Sequence, residues 1–326
     1  MENNTAVKKA GNKAEFLSYI QDYGSLIALI FLVVVIGIIS PEFRSISNFL
    51  SLLRQSSING FIAFGMTMVI LTGGIDLSVG STLAVTAAFC AGMITAGIPV
   101  PLAMLLTLGI GFCLGSVSGV LITKGRLQPF IATLVAMTVY RGVTLIYTGG
   151  KPISNITSED FTGAGVLEFF GRGSIGPIPF PAIMFLLVFV VYFIVLNKTT
   201  AGRKVYAVGS NEACAKLVGI NSGKVKLLIY SVSGLMASVA GLVLLSRLGS
   251  AQPTLGEGFE MDAIAAVALG GTSMSGGRGK VTGTLIGVLI IAVLNNGLNI
   301  LGVSSYWQDV VKGIVILVAV LSDKNR

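Results

Sequence analysis

PFPAIMFLLVFVVYFIVL, residues Pro179–Leu196, carries no charged side chain at any position. At 1.5 Å per residue, a helix of that length spans about 27 Å, close to the roughly 30 Å of a bilayer's hydrocarbon core. Nine further apolar runs surround it. Leu26–Ile39, Leu50–Leu71, Val79–Gly97, Pro101–Thr123 and Phe130–Thr148 precede it. Leu227–Leu245, Met261–Gly271, Val281–Leu298 and Tyr306–Leu321 follow it. Together they predict an all-α polytopic membrane protein of about ten transmembrane helices, some broken by Gly-rich segments. Met261–Gly271 is too short to span alone. It reads as a half-helix completed by the Gly-rich stretch after it, or as a broken or re-entrant segment.

Composition agrees. Of 326 residues, 53% are hydrophobic and 11% charged, with a mean hydropathy of +0.88. Soluble domains carry about 25% charged residues, so too few polar side chains remain here to coat one. The 42 glycines follow no Gly-X-Y period; glycine is frequent in membrane helices, where it lets backbones approach closely. No His is present, which removes His-based acid–base chemistry and His metal ligands. Cys90, Cys113 and Cys214 are far apart and suggest neither a metal site nor a disulfide framework. The nearest approach to a nucleotide-binding loop is Gly279-Lys280, followed by Val281, with Met274 where the first Gly belongs. Neither catalytic residues nor metal ligands are expected.

The net charge of +8 is explained by position. With the N-terminus inside, the inner side collects Lys8, Lys9, Lys13, Lys124, Arg126, Lys198, Arg203, Lys204, Lys216, Lys224, Lys226, Arg278, Lys280, Lys324 and Arg326. The outer side collects Arg44, Lys151, Arg172 and Arg247. This is the positive-inside bias of a membrane protein, and it accounts for the charge without nucleic acid. The expected organisation is a cytoplasmic segment 1–22, one transmembrane domain over 23–322, and a cytoplasmic tail 323–326. Within the domain, 149–178 is an outer loop and 197–226 a basic cytoplasmic loop. Lys8, Lys9 and Lys13 before the first run resemble a signal peptide, but no small-residue cleavage site follows, so an uncleaved first span is expected.

Several residues stand out. Gly111, Gly115 and Gly119 repeat every four positions, as do Gly279, Gly283 and Gly287. Such faces pack helices within one chain or between two copies. Two polar breaks share the pattern GG, three residues, Ser, any residue, Gly: Gly73–Gly80 and Gly270–Gly277. They suggest a weak internal repeat and helix ends near a pathway, or two tight turns of similar composition. Asp76 and Ser78 lie in the first break; Asp76 is a pathway or gating candidate, or a cap for the next helix. Arg141 lies inside a span and either pairs with an acid or snorkels. Asn295, Asn296 and Asn299 offer amides to a hydroxyl-rich solute, or bond neighbouring helices. Asp309 and Lys312 are one turn apart and can pair.

MTMVILTGGIDLSVGS (Met66–Ser81), KGRLQPFIATL (Lys124–Leu134) and RGVTLIYTGG (Arg141–Gly150) resemble the membrane subunits of bacterial ABC importers for monosaccharides. So do YAVGSNEACAKLVGI (Tyr206–Ile220), Arg247–Gly279 and LNNGLNILGVSSYWQ (Leu294–Gln308). The resemblance runs from about Tyr23 to Leu321 and is strongest to members that carry ribose. Another pentose, a hexose or a furanose signal molecule is the alternative cargo, and an ATP-independent secondary transporter the alternative class. The resemblance implies a multi-pass permease of the bacterial cytoplasmic (inner) membrane, with cytoplasmic termini and two copies forming one path. It also implies an ABC ATPase on the cytoplasmic side, which binds ATP and Mg, and an extracytoplasmic sugar-binding protein. The chain itself then needs no cofactor, is not an enzyme, and touches only lipid and protein. Such permeases dock on their ATPase through a loop beginning Glu-Ala-Ala with a Gly shortly after. Here the loop offers Gly209, Asn211, Glu212, Ala213 and Gly219, with Cys214 in place of the second Ala and the Gly one residue late.

Overall fold

A computed structural model of the chain describes residues 24–156 and 161–323. The segment 1–22, positions 159 and 160, and residues 324–326 of the expected tail lie outside the described residues.

Each apolar run falls on its own helix. The first seven of these helices are α1 (Gly24–Ile39), α2 (Ile46–Leu71), α3 (Val79–Thr95), α4 (Val100–Thr123), α5 (Pro129–Thr148), α7 (Phe180–Lys198) and α10 (Ser222–Leu248). The last three are α11 (Phe259–Leu269), α12 (Val281–Ile300) and α13 (Ser305–Asp323). A short α6 (Ala164–Arg172) lies in the loop after α5, and α8 (Thr200–Ser210) and α9 (Glu212–Leu217) form the basic loop after α7. Among the described residues five helices, α4, α5, α7, α10 and α12, are long and apolar enough to cross a bilayer, and α1 and α3 are shorter apolar helices. The chain is an all-α, multi-pass membrane protein.

Local chemistry sets the helix ends. Ser45 caps α2 by accepting from Asn48 N at 3.1 Å. Prolines occupy the first turns of α4, α5 and α7, where a missing N–H costs nothing. Four two-residue strands complete the described structure. β1 (Ile153–Ser154) pairs antiparallel with β4 (Ser250–Ala251), and β2 (Ser174–Ile175) with β3 (Ile178–Pro179). The first pair ties the loop after α5 to the loop after α10.

The centre is built from α2, α3, α10, α11 and α12, whose side chains are buried almost all round. α4, α5 and α7 form an outer layer that presents Leu105, Ile146 and Leu187 outward, each more than half exposed. In water such a face would be unstable, whereas lipid tails solvate it without penalty. Association inside the bilayer then rests on close packing, and α4 against α10 is the tightest case. A methyl added at Gly115 would lie 2.1 Å from Tyr230 O, and one at Gly111 2.7 Å from Gly234 O. On the facing helix, one at Gly234 would lie 2.2 Å from Gly111 O. Gly283 and Gly287 do the same for α12 on α11, facing Gly270 O and Ala266 O.

Gly115→Ala is therefore expected to force α4 off α10 and cost about 1–3 kcal/mol, the usual price of overpacking. Gly109→Ala, on the same helix with nothing within 4 Å, serves as the control. Thermal unfolding in detergent should separate them, and equal midpoints would contradict the contact.

Candidate functional site

The two Gly-rich breaks, far apart in sequence, meet in space. α2 ends at Leu71, and its last carbonyls have no partner within the helix. Leu71 O is met by Gly277 N of the second break at 2.9 Å. Gly276, at φ +85°, lies so close to Gly73 that a Cβ there would stand 2.8 Å from Gly73 N. At Gly276 the left-handed conformation and the lack of space coincide, so no side chain is tolerated; Gly73, at φ +76°, is held to glycine by its conformation.

A third segment closes this junction. Gly209, near the end of α8, packs where a Cβ would fall 1.8 Å from Leu71 O and 2.7 Å from Gly277 N. Tyr206, one turn earlier, donates its hydroxyl to Gly279 O at 2.9 Å. The basic loop after α7 thus touches both breaks at one point.

Asp76 sits just inside the first break and is buried. Its Oδ1 accepts from Ser78 N at 3.0 Å and from the Ser78 hydroxyl, and its Oδ2 accepts from Ser233 Oγ on α10 at 2.8 Å. The carboxylate thereby ties the start of α3 to α10 rather than serving its own helix alone. The Tyr230 hydroxyl, also buried, lies beside Gly74 without a hydrogen-bond partner among the described residues.

On the outer face of the α8–α9 loop, Asn211 caps α9 by accepting from Cys214 N at 2.9 Å. Glu212 then binds three groups: Lys216 one turn on at 2.9 Å, Ser222 Oγ at 2.9 Å, and Lys226. The last two belong to the first turns of α10, so Glu212 locks α9 onto a central helix. Ala213 lies on α9. Gly219 ends the loop at φ +83°, donating to Lys216 O, while Ile220 N bonds Ala215 O; this is a Schellman-type stop. Between them Leu217 and Val218 project, 87% and 75% exposed. Sequence reasoning passed over this apolar tip. Its signal was two aliphatic residues in an otherwise basic loop.

The asparagines do not converge. Asn295 donates to Asp262 at 3.4 Å, Asn296 exchanges bonds with Asn48 of α2 at 3.0 and 2.8 Å, and Asn299 accepts from Gln308 at 2.9 Å. They lie on the last turns of α12, away from Asp76 and Ser78, so the candidate pathway residues occupy two levels. Asp262 gathers Asn59 at 3.4 Å and Lys312 at 3.3 Å as well, linking α2, α11, α12 and α13. Lys312 lies 3.9 Å from Asp309. Arg141 donates to the carbonyls of Pro253 and Leu255 at 2.6 and 2.9 Å, pinning the loop before α11 to α5. Among the described residues no group of three or more Cys, Asp or Glu is placed to hold a metal ion.

The family model described as branched-chain amino acid transport system / permease component matches residues 48–320. The chain is 55% identical to the ribose import permease protein RbsC of Bacillus subtilis, with 96% of each chain covered. It is 48% identical to the protein of the same name in Escherichia coli K12, with 95% of each covered. Against the galactose/methyl galactoside import permease protein MglC of Escherichia coli K12 the identity is 35%, with 97% of each covered. No solved structure matches the chain.

The Glu212 cluster has a defined pH window. Its bonds to Lys226 and then Lys216 lower its pKa from 4.5 to about 2. A depressed carboxylate stabilises the fold fully above its unfolded value, and that share is lost as pH falls through the folded one. Corrected hydrogen-exchange protection over residues 212–222 should hold from pH 7 to 5 and decline between 4.5 and about 2. Glu212→Gln should show the loss already at pH 7; unchanged protection would contradict the lock. The pair is partly exposed, so the expected effect is small, about 1 kcal/mol or less.

Proposed function

The chain belongs to the branched-chain amino acid transport system / permease component family, and from that footing we propose that it is the membrane subunit of an ATP-driven ABC importer whose cargo is ribose. The family description names amino acids, but the relatives at 55% and 48% identity are named for ribose import, which favours a sugar. The α8–α9 face is the cytoplasmic one. Lys124, Arg126, Lys198, Arg203, Lys204, Lys216, Lys224, Lys226, Arg278 and Lys280 support that orientation, against Arg44, Lys151, Arg172 and Arg247 on the other side.

Leu217 and Val218 dock into the ATPase, which binds ATP and Mg and carries out the hydrolysis. The sugar-binding protein meets the opposite mouth, and two copies of the chain enclose one path. The observation that carries the coupling reading is the contact of Gly209 with both Leu71 and Gly277. Displacement of α8–α9 by the ATPase reaches the ends of α2 and the start of α12 directly, with no flexible linker between. Asp76 and its bond to Ser233 extend that contact to α3 and α10. The chain itself makes no covalent bond. It has two arrangements, and each partner shifts the balance only by its differential affinity for them.

Glu212→Lys repels Lys226 and frees α9. In the reconstituted complex, ATP hydrolysis should persist while ribose uptake falls about 5- to 150-fold, the span of a coupling free energy of roughly 1–3 kcal/mol. Normal uptake in that variant would remove Glu212 from coupling. The cargo is tested separately, by competition in a strain carrying the whole transport system. Unlabelled ribose should suppress uptake; suppression by another pentose or a hexose alone would reassign the substrate.

A further inference from the structure

A cavity of about 480 Å³ lies between α2, α7, α8 and α10. Its walls are apolar, with Met68, Val195 and Leu228 among them, and it opens sideways, because Leu228 is 56% exposed. This is the flank that faces lipid tails. Its mouth has a different chemistry. Lys204 of α8 and Lys224 of the first turn of α10 line it, both exposed. Neither makes a side-chain hydrogen bond or ion pair among the described residues. The first turn of α8 borders the same mouth through Thr200 and Ala201, and a helix N-terminus favours an anion. Tyr192 contributes to the wall, but its hydroxyl is sealed within the protein, where it has no hydrogen-bond partner among the described residues.

We infer that this cavity holds an anionic phospholipid from the cytoplasmic leaflet. One acyl chain lies along Met68, Val195 and Leu228. The phosphate-bearing headgroup sits between Lys204 and Lys224. Basic pockets between membrane helices on the cytoplasmic side are suited to such headgroups. The occupant wedges α7 against α8, the helix that carries Gly209, so it stiffens the arm between the ATPase and the junction. The inference rests on the reading that the α8–α9 face is cytoplasmic.

The test uses the full chain in detergent, with phosphatidylglycerol or phosphatidylcholine of identical tails, and counts retained lipid by native mass spectrometry. Wild type should retain phosphatidylglycerol preferentially. Lys204→Gln and Lys224→Gln should each weaken that preference about fivefold, the worth of one basic residue beside an anionic surface. Lys151→Gln, on the opposite face, should leave it unchanged. Equal retention of the two lipids by wild type, or a preference untouched in the double lysine variant, overturns the inference. A groove covered by a second copy of the chain would read as the first of these and overturns it too. Because no transport is measured, either result leaves the importer reading standing.

Discussion

Everything in this structure depends on one hydrogen bond, from Gly277 N to Leu71 O. In a bilayer, each backbone group released by a broken helix must find a partner inside the protein, because no water is there to serve. The chain breaks twice at Gly-rich segments, and each break answers the other. That bond closes the end of α2 with the loop before α12, and glycine at 276 is what allows the two backbones to come that close, while Gly277 lies equally close to Ser210 of α8. A side chain at Gly276 would hold the segments apart and leave the carbonyl unpaired.

The same requirement explains why α8 is where it is. Gly209 fits against the closed pair of breaks, and the Tyr206 hydroxyl satisfies Gly279 O. The basic loop is therefore seated on the two points at which the bundle lacks continuous helix. Packed interiors switch between discrete arrangements rather than deforming smoothly. At this junction α8 is in direct contact with the end of α2 and with the loop before α12. Glu212, bound to Lys226 and Ser222, keeps α9 from moving independently of α10.

Much of this was legible in the residues. The ten apolar runs mark ten helices, of which five among the described residues are long and apolar enough to cross a bilayer. The four-residue glycine spacing on α4 marks a close contact, and the tertiary structure supplies its partner, Gly234 on α10. Other features were half legible. Arg141 stood out as a charge within a span, yet its partners are the carbonyls of Pro253 and Leu255, which no pattern of acidic residues announces. The asparagines of α12 looked like one polar face. Side chains three and four positions apart nonetheless meet different neighbours when α2, α11 and the loop after α12 approach from separate sides.

The sequence by itself determined which segments form the apolar helices and that glycine marks the sites of close approach. These follow from local composition, since transfer into lipid is decided segment by segment. Only the tertiary structure decided that the two breaks touch, that Gly209 seats on both, and that Tyr192 faces an apolar cavity with lysines at its mouth. The bond between the breaks joins residues about two hundred positions apart, Leu71 and Gly277. In helices apolar on every side, no periodicity records which face looks inward, so the partner is chosen by packing alone.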